Sequence, residues 1–311
     1  MPPLLRYLVT RLLRAGLTVV GVVSLVFLLV HLIPGDPVQA MLGDQASPED
    51  RQALRVALRL DRPLPEQYAL FCADVLNGSL GHSFRNQMRS VASLIAEAVP
   101  GTLWLALAAM SVAIAAALPL GMLAALYRGS RWDDLASSFA LLGLAIPNIW
   151  LGPLLVLVFG VWLRVLPMPG DDAGLATLLL PAITLGAALS AILTRQTRAS
   201  LLEVLNEPYI RAARARGVSE YRLIVHHALR NALLPVLTVA GAQLGALLSG
   251  AVVAEKIFER PGIGSLFLDA FFDRDIPLVQ GCALCVAVFY VSVNLGVDLL
   301  YGVVDPRVRL T

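Results

Sequence analysis

The chain has 311 residues, 58% hydrophobic and 15% charged, with a mean hydropathy of +0.75 and a formal net charge of +2. Soluble domains carry about 45–50% apolar and about 25% charged residues, so the composition excludes a soluble globular protein and indicates a polytopic membrane protein. Lys256 is the only lysine among 24 basic residues and it follows Glu255. A Walker A phosphate loop places lysine directly after glycine, so any P-loop ATP hydrolysis must belong to another polypeptide.

Arg6, Arg11 and Arg14 precede an apolar run from Ala15 to Ile33. At about 1.5 Å per residue this run is about 28 Å long, close to one bilayer core. A signal peptide would have a shorter apolar region ending in a small-x-small site. Here the run ends in His31-Leu-Ile-Pro-Gly-Asp-Pro, which predicts an uncleaved first span.

Residues 34–100 form the largest polar interval. Ser47-Pro-Glu-Asp has the signature of a helix start, with proline first and acids in the first turn. Asn77-Gly-Ser and Leu80-Gly-His read as turns. The interval predicts a compact folded outer loop between the first two spans.

Five further spans are expected at Thr102–Leu126, Leu135–Leu163, Ala176–Thr194, Leu233–Ala254 and Val279–Val297. Pro147 and Pro153 should kink the third. Six spans put both termini on one side. That side, with the 128–134 turn and the 195–232 loop, holds fourteen of the 24 basic residues. The positive-inside rule therefore makes it cytoplasmic and places the 34–100 and 255–277 loops outside. The fold class is all-α: a polytopic membrane protein with six transmembrane helices in a single domain over residues 1–311.

Gly241 and Gly245 form a G-x-x-x-G motif that Gly250 continues. Small residues let helix backbones approach closely in lipid, so the stripe serves either packing within the chain or a pathway or subunit interface. The three cysteines make no disulfide framework. Cys282 and Cys285 share a face of an apolar helix, where ordinary packing is the expected role. His226 and His227 are adjacent and point to different helix faces. No catalytic or metal site is expected, nor any nucleic-acid partner.

Tyr209 to Pro235 is the longest polar stretch of the second half, with Arg211, Arg214, Arg216, Arg222 and Arg230 against one acid, Glu220. Pro208 favours helix initiation, Gly217 can take the left-handed conformation that ends a helix, and Ser219 can cap the next one. A short helix with a bare surface at Ala212 and Ala213 suits docking into a partner's groove. An amphipathic helix lying on anionic lipid headgroups is the competing reading.

Ala212-Ala213, Gly217 and Leu234-Pro235 resemble the EAA loop of ABC-importer permeases. Arg211 stands where that pattern has an acid, and the gap from Gly217 to Pro235 is longer. Several further blocks resemble the dipeptide/oligopeptide/nickel subfamily, first-permease type. They are LIPGDP at Leu32–Pro37, LDRPLPEQY at Leu60–Tyr68, GSLGHSF at Gly78–Phe84, Ala145-Ile-Pro-Asn, the run from Glu255 to Gly264, Arg274-Asp-Ile-Pro and Asp305-Pro-Arg-Val-Arg.

The resemblance implies a multi-pass subunit of the bacterial inner membrane that pairs with a second homologous permease. It implies two ATPase subunits, which hold the ATP and Mg, and an extracytoplasmic solute-binding protein. Tyr209, Arg211, Ala212, Ala213, Arg214, Arg216 and Gly217 would couple the chain to the ATPases. Glu255, Phe258, Pro261, Gly262 and Gly264 would meet the binding protein. The cargo would be small peptides or related solutes, such as nickel chelates and glutathione-like peptides. An ATP-independent channel or carrier, or a membrane scaffold, is the alternative.

Overall fold

A computed structural model describes residues 3–32, 37–43, 46–83, 89–171 and 174–304. Among these residues every regular element is a helix, with one isolated bridge between His82 and Ser90. The helices are α1 (Pro3–Leu32), α2 (Pro37–Leu42), α3 (Pro48–Ala57), α4 (Leu64–Leu76), α5 (Val91–Leu126), α6 (Arg131–Ala145), α7 (Asn148–Leu155), α8 (Leu179–Leu205), α9 (Pro208–Ala215), α10 (Glu220–Arg222), α11 (Leu229–Ile257), α12 (Ile263–Phe272) and α13 (Ile276–Val304). Residues 33–36 of the LIPGDP block, Phe84, and the closing Asp305-Pro-Arg-Val-Arg lie outside the described residues.

Among the described residues, five helical stretches are long and apolar enough to cross a membrane: Val9–Leu28, Val91–Leu126, Gly174–Leu205, Glu220–Gly245 and Ile276–Val297. A sixth crossing is available if Arg131–Ala145 and Asn148–Trp162 count as one broken span. Large apolar side chains such as Leu13, Leu17, Leu25, Trp104 and Leu107 stay exposed on these helices. That is the surface a lipid solvent requires.

Two of the expected spans differ in form. The third was expected to be kinked; instead it is broken, with α6 and α7 meeting at 102°. Proline disfavours the helical conformation in the residue before it. Accordingly Ile146 is extended at ψ 116°, and Pro147 itself has ψ 140°. Pro153 stays within α7. The fourth span does not stop at Thr194, because α8 runs on to Leu205. At about 1.5 Å per residue α8 is about 40 Å long, more than the roughly 30 Å hydrocarbon core. Arg195 and Arg198 are therefore helical, not part of a loop.

The chain divides into two compact units. The first comprises residues 1–102 and 261–295. Ser47 caps α3 as its sequence predicts, accepting the Asp50 N–H at 3.1 Å, with Pro48 as the first helical residue. Phe27 of α1 packs against the rings of Tyr68 and Phe71 in α4, at 5.3 and 5.9 Å between centroids. A second core joins Val91, Leu94 and Ile95 of α5 to Ile263 and Ala270 of α12 and to Leu278 and Cys282 of α13. Cys282 is thus a packed core residue. Thr102 accepts the Ile263 N–H at 2.8 Å, which satisfies one of the orphan donors at the start of α12. Buried Asp275 accepts a hydrogen bond from Ser83.

The second unit comprises residues 103–260 and 296–311. Its core unites Leu105, Ala109 and Met110 of α5, Leu185, Leu189 and Leu193 of α8, and Val236, Ala240 and Leu247 of α11. A Cβ at Gly143 of α6 would lie 2.7 Å from the Ala187 carbonyl oxygen, so α6 lies directly on α8 there. Between α10 and α11 the helix widens into a π-helix over Leu223–Ala228. Pro235 then lies inside α11, not at its start.

Candidate functional site

Residues 208–217 form a helix and a turn held to the second unit by one face. Pro208 occupies the first turn of α9, where its missing N–H costs nothing. Gly217 has φ +80°, the left-handed conformation expected of it, and follows Arg216, the C-cap of α9. The Val218 N–H then returns to the Ala213 carbonyl at 3.3 Å and the Gly217 N–H to Arg214 at 3.0 Å. These bonds close the C-terminus of α9. Ser219 takes the extended N-cap conformation before α10, although its side chain makes no cap hydrogen bond.

The two alanines part company. Ala213 is buried, 5% exposed, in a cluster with Leu201 of α8, Ala125 of α5, Ile210, Leu223, Ala228 and Ala232. Ala212 is exposed. Adjacent helix residues lie about 100° apart, so once Ile210 and Ala213 turn inward, Ala212 must turn outward. The expected two-alanine docking surface is therefore corrected. Ala213 mounts the helix, while Arg211, Ala212 and Ala215 make the exposed face. Ile210 is fully buried and was not singled out from the sequence. Its i, i+3 pairing with Ala213 was the available signal.

The remaining members of the stretch are exposed. Tyr209 accepts a hydrogen bond from the Asn231 side-chain amide at 2.7 Å, tying α9 to α11. Arg214 forks onto Glu220, with contacts of 2.6 and 3.1 Å. Glu220 raises the pKa of the Arg214 guanidinium through that hydrogen bond. Arg211 and Arg216 are exposed cations.

A second arginine–carboxylate pair lies beyond this cluster. Arg198 of α8 forks onto Asp133 of α6, with Nε and Nη2 each 2.7 Å from a carboxylate oxygen. Asp133 is 5% exposed and also accepts the Gly129 N–H at 3.0 Å. In the sequence Arg198 is only one of the basic residues of the 195–232 interval, and Asp133 lies unmarked in the 128–134 turn. A pairing between residues 65 apart leaves no local trace.

Gly241 and Gly250 of the glycine stripe pack within the second unit. A Cβ at Gly241 would lie 2.5 Å from Val297 Cγ2, and one at Gly250 would lie 3.3 Å from Leu185 Cδ2. Gly245 is buried. The segment expected to meet a binding protein is mostly internal. Glu255 and Phe258 are buried in the second unit, and Gly262 and Gly264 in the first; Pro261 is exposed. Arg260 donates to the Thr177 hydroxyl. Burial pushes its pKa below the usual arginine value against the opposing charge of Glu255.

Comparison with known proteins identifies the scaffold. Residues 117–310 match the family described as binding-protein-dependent transport system inner membrane component, and residues 4–106 match the N-terminal family of such membrane components. The chain belongs to this family. The permease is 42% identical to the dipeptide transport system permease protein DppB of Escherichia coli K12 over a 340-residue alignment covering 98% of this chain and 99% of DppB. It is 40% identical over 306 residues to the glutathione transport system permease protein GsiC of Pectobacterium atrosepticum, covering 98% and 99% of the two chains.

Two solved transporters share the permease's fold. A chain of the MetNI methionine ABC transporter in an inward-facing conformation matches with a TM-score of 0.56 at 18% identity, covering 68% of the permease and 96% of that chain. A chain of an amino acid ABC transporter with histidines matches with a TM-score of 0.52 at 16% identity, covering 67% of the permease and 92% of that chain. The resemblance carried by the sequence blocks is thus confirmed: this is a transport permease subunit of a multi-subunit, binding-protein-dependent system.

Proposed function

We propose that the permease supplies half of the translocation pathway of an ATP-driven importer and takes its energy through α9. A second homologous permease completes the pathway. Two ATPase subunits holding ATP and Mg bind beneath, and a solute-binding protein delivers cargo from outside. Both termini, the 128–134 turn and the α9 region face the cytoplasm of a bacterial inner membrane. The loop around α3 and α4 and the segment after α11 face outward, with exposed Pro261 the accessible part of the binding-protein contact.

The two-faced construction of α9 carries this reading. Ile210 and Ala213 fasten the helix to α5, α8 and the π-helix, while Arg211, Ala212 and Ala215 remain open. A helix fixed on one side and bare on the other transmits displacement from a partner into the spans. ATP-driven approach of the ATPase pair would push α9 and switch access across the membrane. The curated relatives favour short peptides, such as dipeptides or glutathione, over nickel chelates as cargo.

Co-purification of the ATPase subunits with alanine-site variants tests the reading. Ala212→Arg is expected to leave folded permease in the membrane and to abolish ATPase co-purification and peptide uptake. Undiminished co-purification would overturn the coupling role. Ala213→Arg should behave differently. Overpacking a filled core costs about 1–3 kcal/mol, and a buried charge adds to that. This variant should lose folded permease itself, seen as aggregation on size exclusion in detergent.

A further inference from the structure

The Asp133–Arg198 pair joins α6 to α8 at the end of α8 that leads into α9. Leu201, one turn further on, is fully buried against Ile210 and Ala213 of α9. The pair is built for rigidity. Its contacts are bidentate at 2.7 Å, and the carboxylate takes a further bond from the Gly129 N–H, with the Ser137 hydroxyl at 3.5 Å. Deeper in the unit, Gly143 brings α6 onto the Ala187 carbonyl of α8. Two fixed points thus bind α6 to α8, one charged and one close-packed. Beyond them α6 ends at the Pro147 break, and α7, turned by 102°, lies against both α8 and α11, with Gly152 on Ile257 and Phe258.

We propose that Asp133 and Arg198 are positioning residues that transmit movement of α9 through α8 into the broken α6–α7 arm. The inference rests on the coupling reading of α9. A paired fork fixes both distance and orientation, which an apolar contact does not. Displacement of α8 by its α9 extension therefore carries α6 with it. The Pro147 break, having no continuous hydrogen-bond ladder, converts that displacement into a change of angle between α6 and α7.

The test uses the whole importer in proteoliposomes. Cys72, Cys282 and Cys285 are replaced by alanine, and one cysteine is introduced at exposed Leu144 near the break. The rate of maleimide labelling is compared between nucleotide-free and ADP–vanadate-trapped states. With the native pair, trapping should change the rate about fivefold or more, the lower end of typical coupling strengths. Asp133→Asn and Arg198→Lys should each reduce that change to near unity while the ATPase subunits still co-purify and hydrolyse ATP. The double variant should be no worse than either single one, because the two groups act as a unit. A native-like labelling change in Asp133→Asn, or none in the starting importer, would overturn the proposal. Failure of the coupling reading is separately visible, because Ala212→Arg would then retain its ATPase subunits.

Discussion

Among the described residues, the second unit contains two arginine–carboxylate forks of the same bidentate form, at 2.7 and 2.7 Å for Asp133–Arg198 and 2.6 and 3.1 Å for Arg214–Glu220, whose surroundings are opposite. Asp133–Arg198 is buried at its acid, with a side-chain exposure of 8% for Asp133. Arg214–Glu220 is open to solvent, at 50% and 57%. Geometry alone would rank them close together. Solvent separates them, because an exposed pair is screened and must hold two long side chains in place, whereas a buried carboxylate stripped of its partner stays behind as an unpaired charge. The first fork therefore holds helices together. The second decorates a turn whose shape is set by Gly217 and by Ala213.

This contrast can be broken most sharply at the buried fork. Arg198→Ala should cost about 3–5 kcal/mol by leaving Asp133 without its counter-ion. The measurement is the apparent melting temperature of the detergent-solubilised permease, and an unchanged value would show that the pair is not stabilising. Gly217→Ala should be intermediate, at about 1–2 kcal/mol, because an L-residue with φ near +80° strains the backbone. Its mark should be faster proteolysis between α9 and α10 without loss of the folded core. Glu220→Gln should be smallest. Its effect on melting should lie within error and should not depend on salt. A destabilisation matching that of Arg198→Ala would collapse the distinction between the two forks.

Local grammar made much of α9 legible. Pro208 starts the helix, Gly217 ends it and Ser219 precedes the next, and all three act over one or two residues of backbone. The direction of each alanine was not legible. It depends on which neighbours arrive from α5, α8 and the π-helix, and Leu201 and Leu223 are not adjacent to α9 in sequence. The same holds for Pro147. Proline announces a disturbance, but whether a helix bends or breaks depends on whether the packing beyond it favours a new direction. Here Gly152 fits against Ile257 and Phe258 and supplies one. Asp133 gives no sign of its distant partner, because an acid in a helix's first turn already has a local explanation in the helix dipole.

The π-helix at Leu223–Ala228 has a consequence of its own. A turn closed by i→i+5 bonds accommodates one residue more than an α-helical turn. Removing one residue there would let the helix wind regularly with its two ends nearly where they are, whereas removing one from the regular turns of α11 just beyond it would rotate everything upstream by about 100°. Leu223 would then leave the pocket it shares with Ile210 and Ala213, and Arg211 and Ala212 would swing away from their present bearing. The angular setting at which the permease presents α9 is therefore encoded as a residue count, tunable by one deletion with every side chain of α9 unchanged.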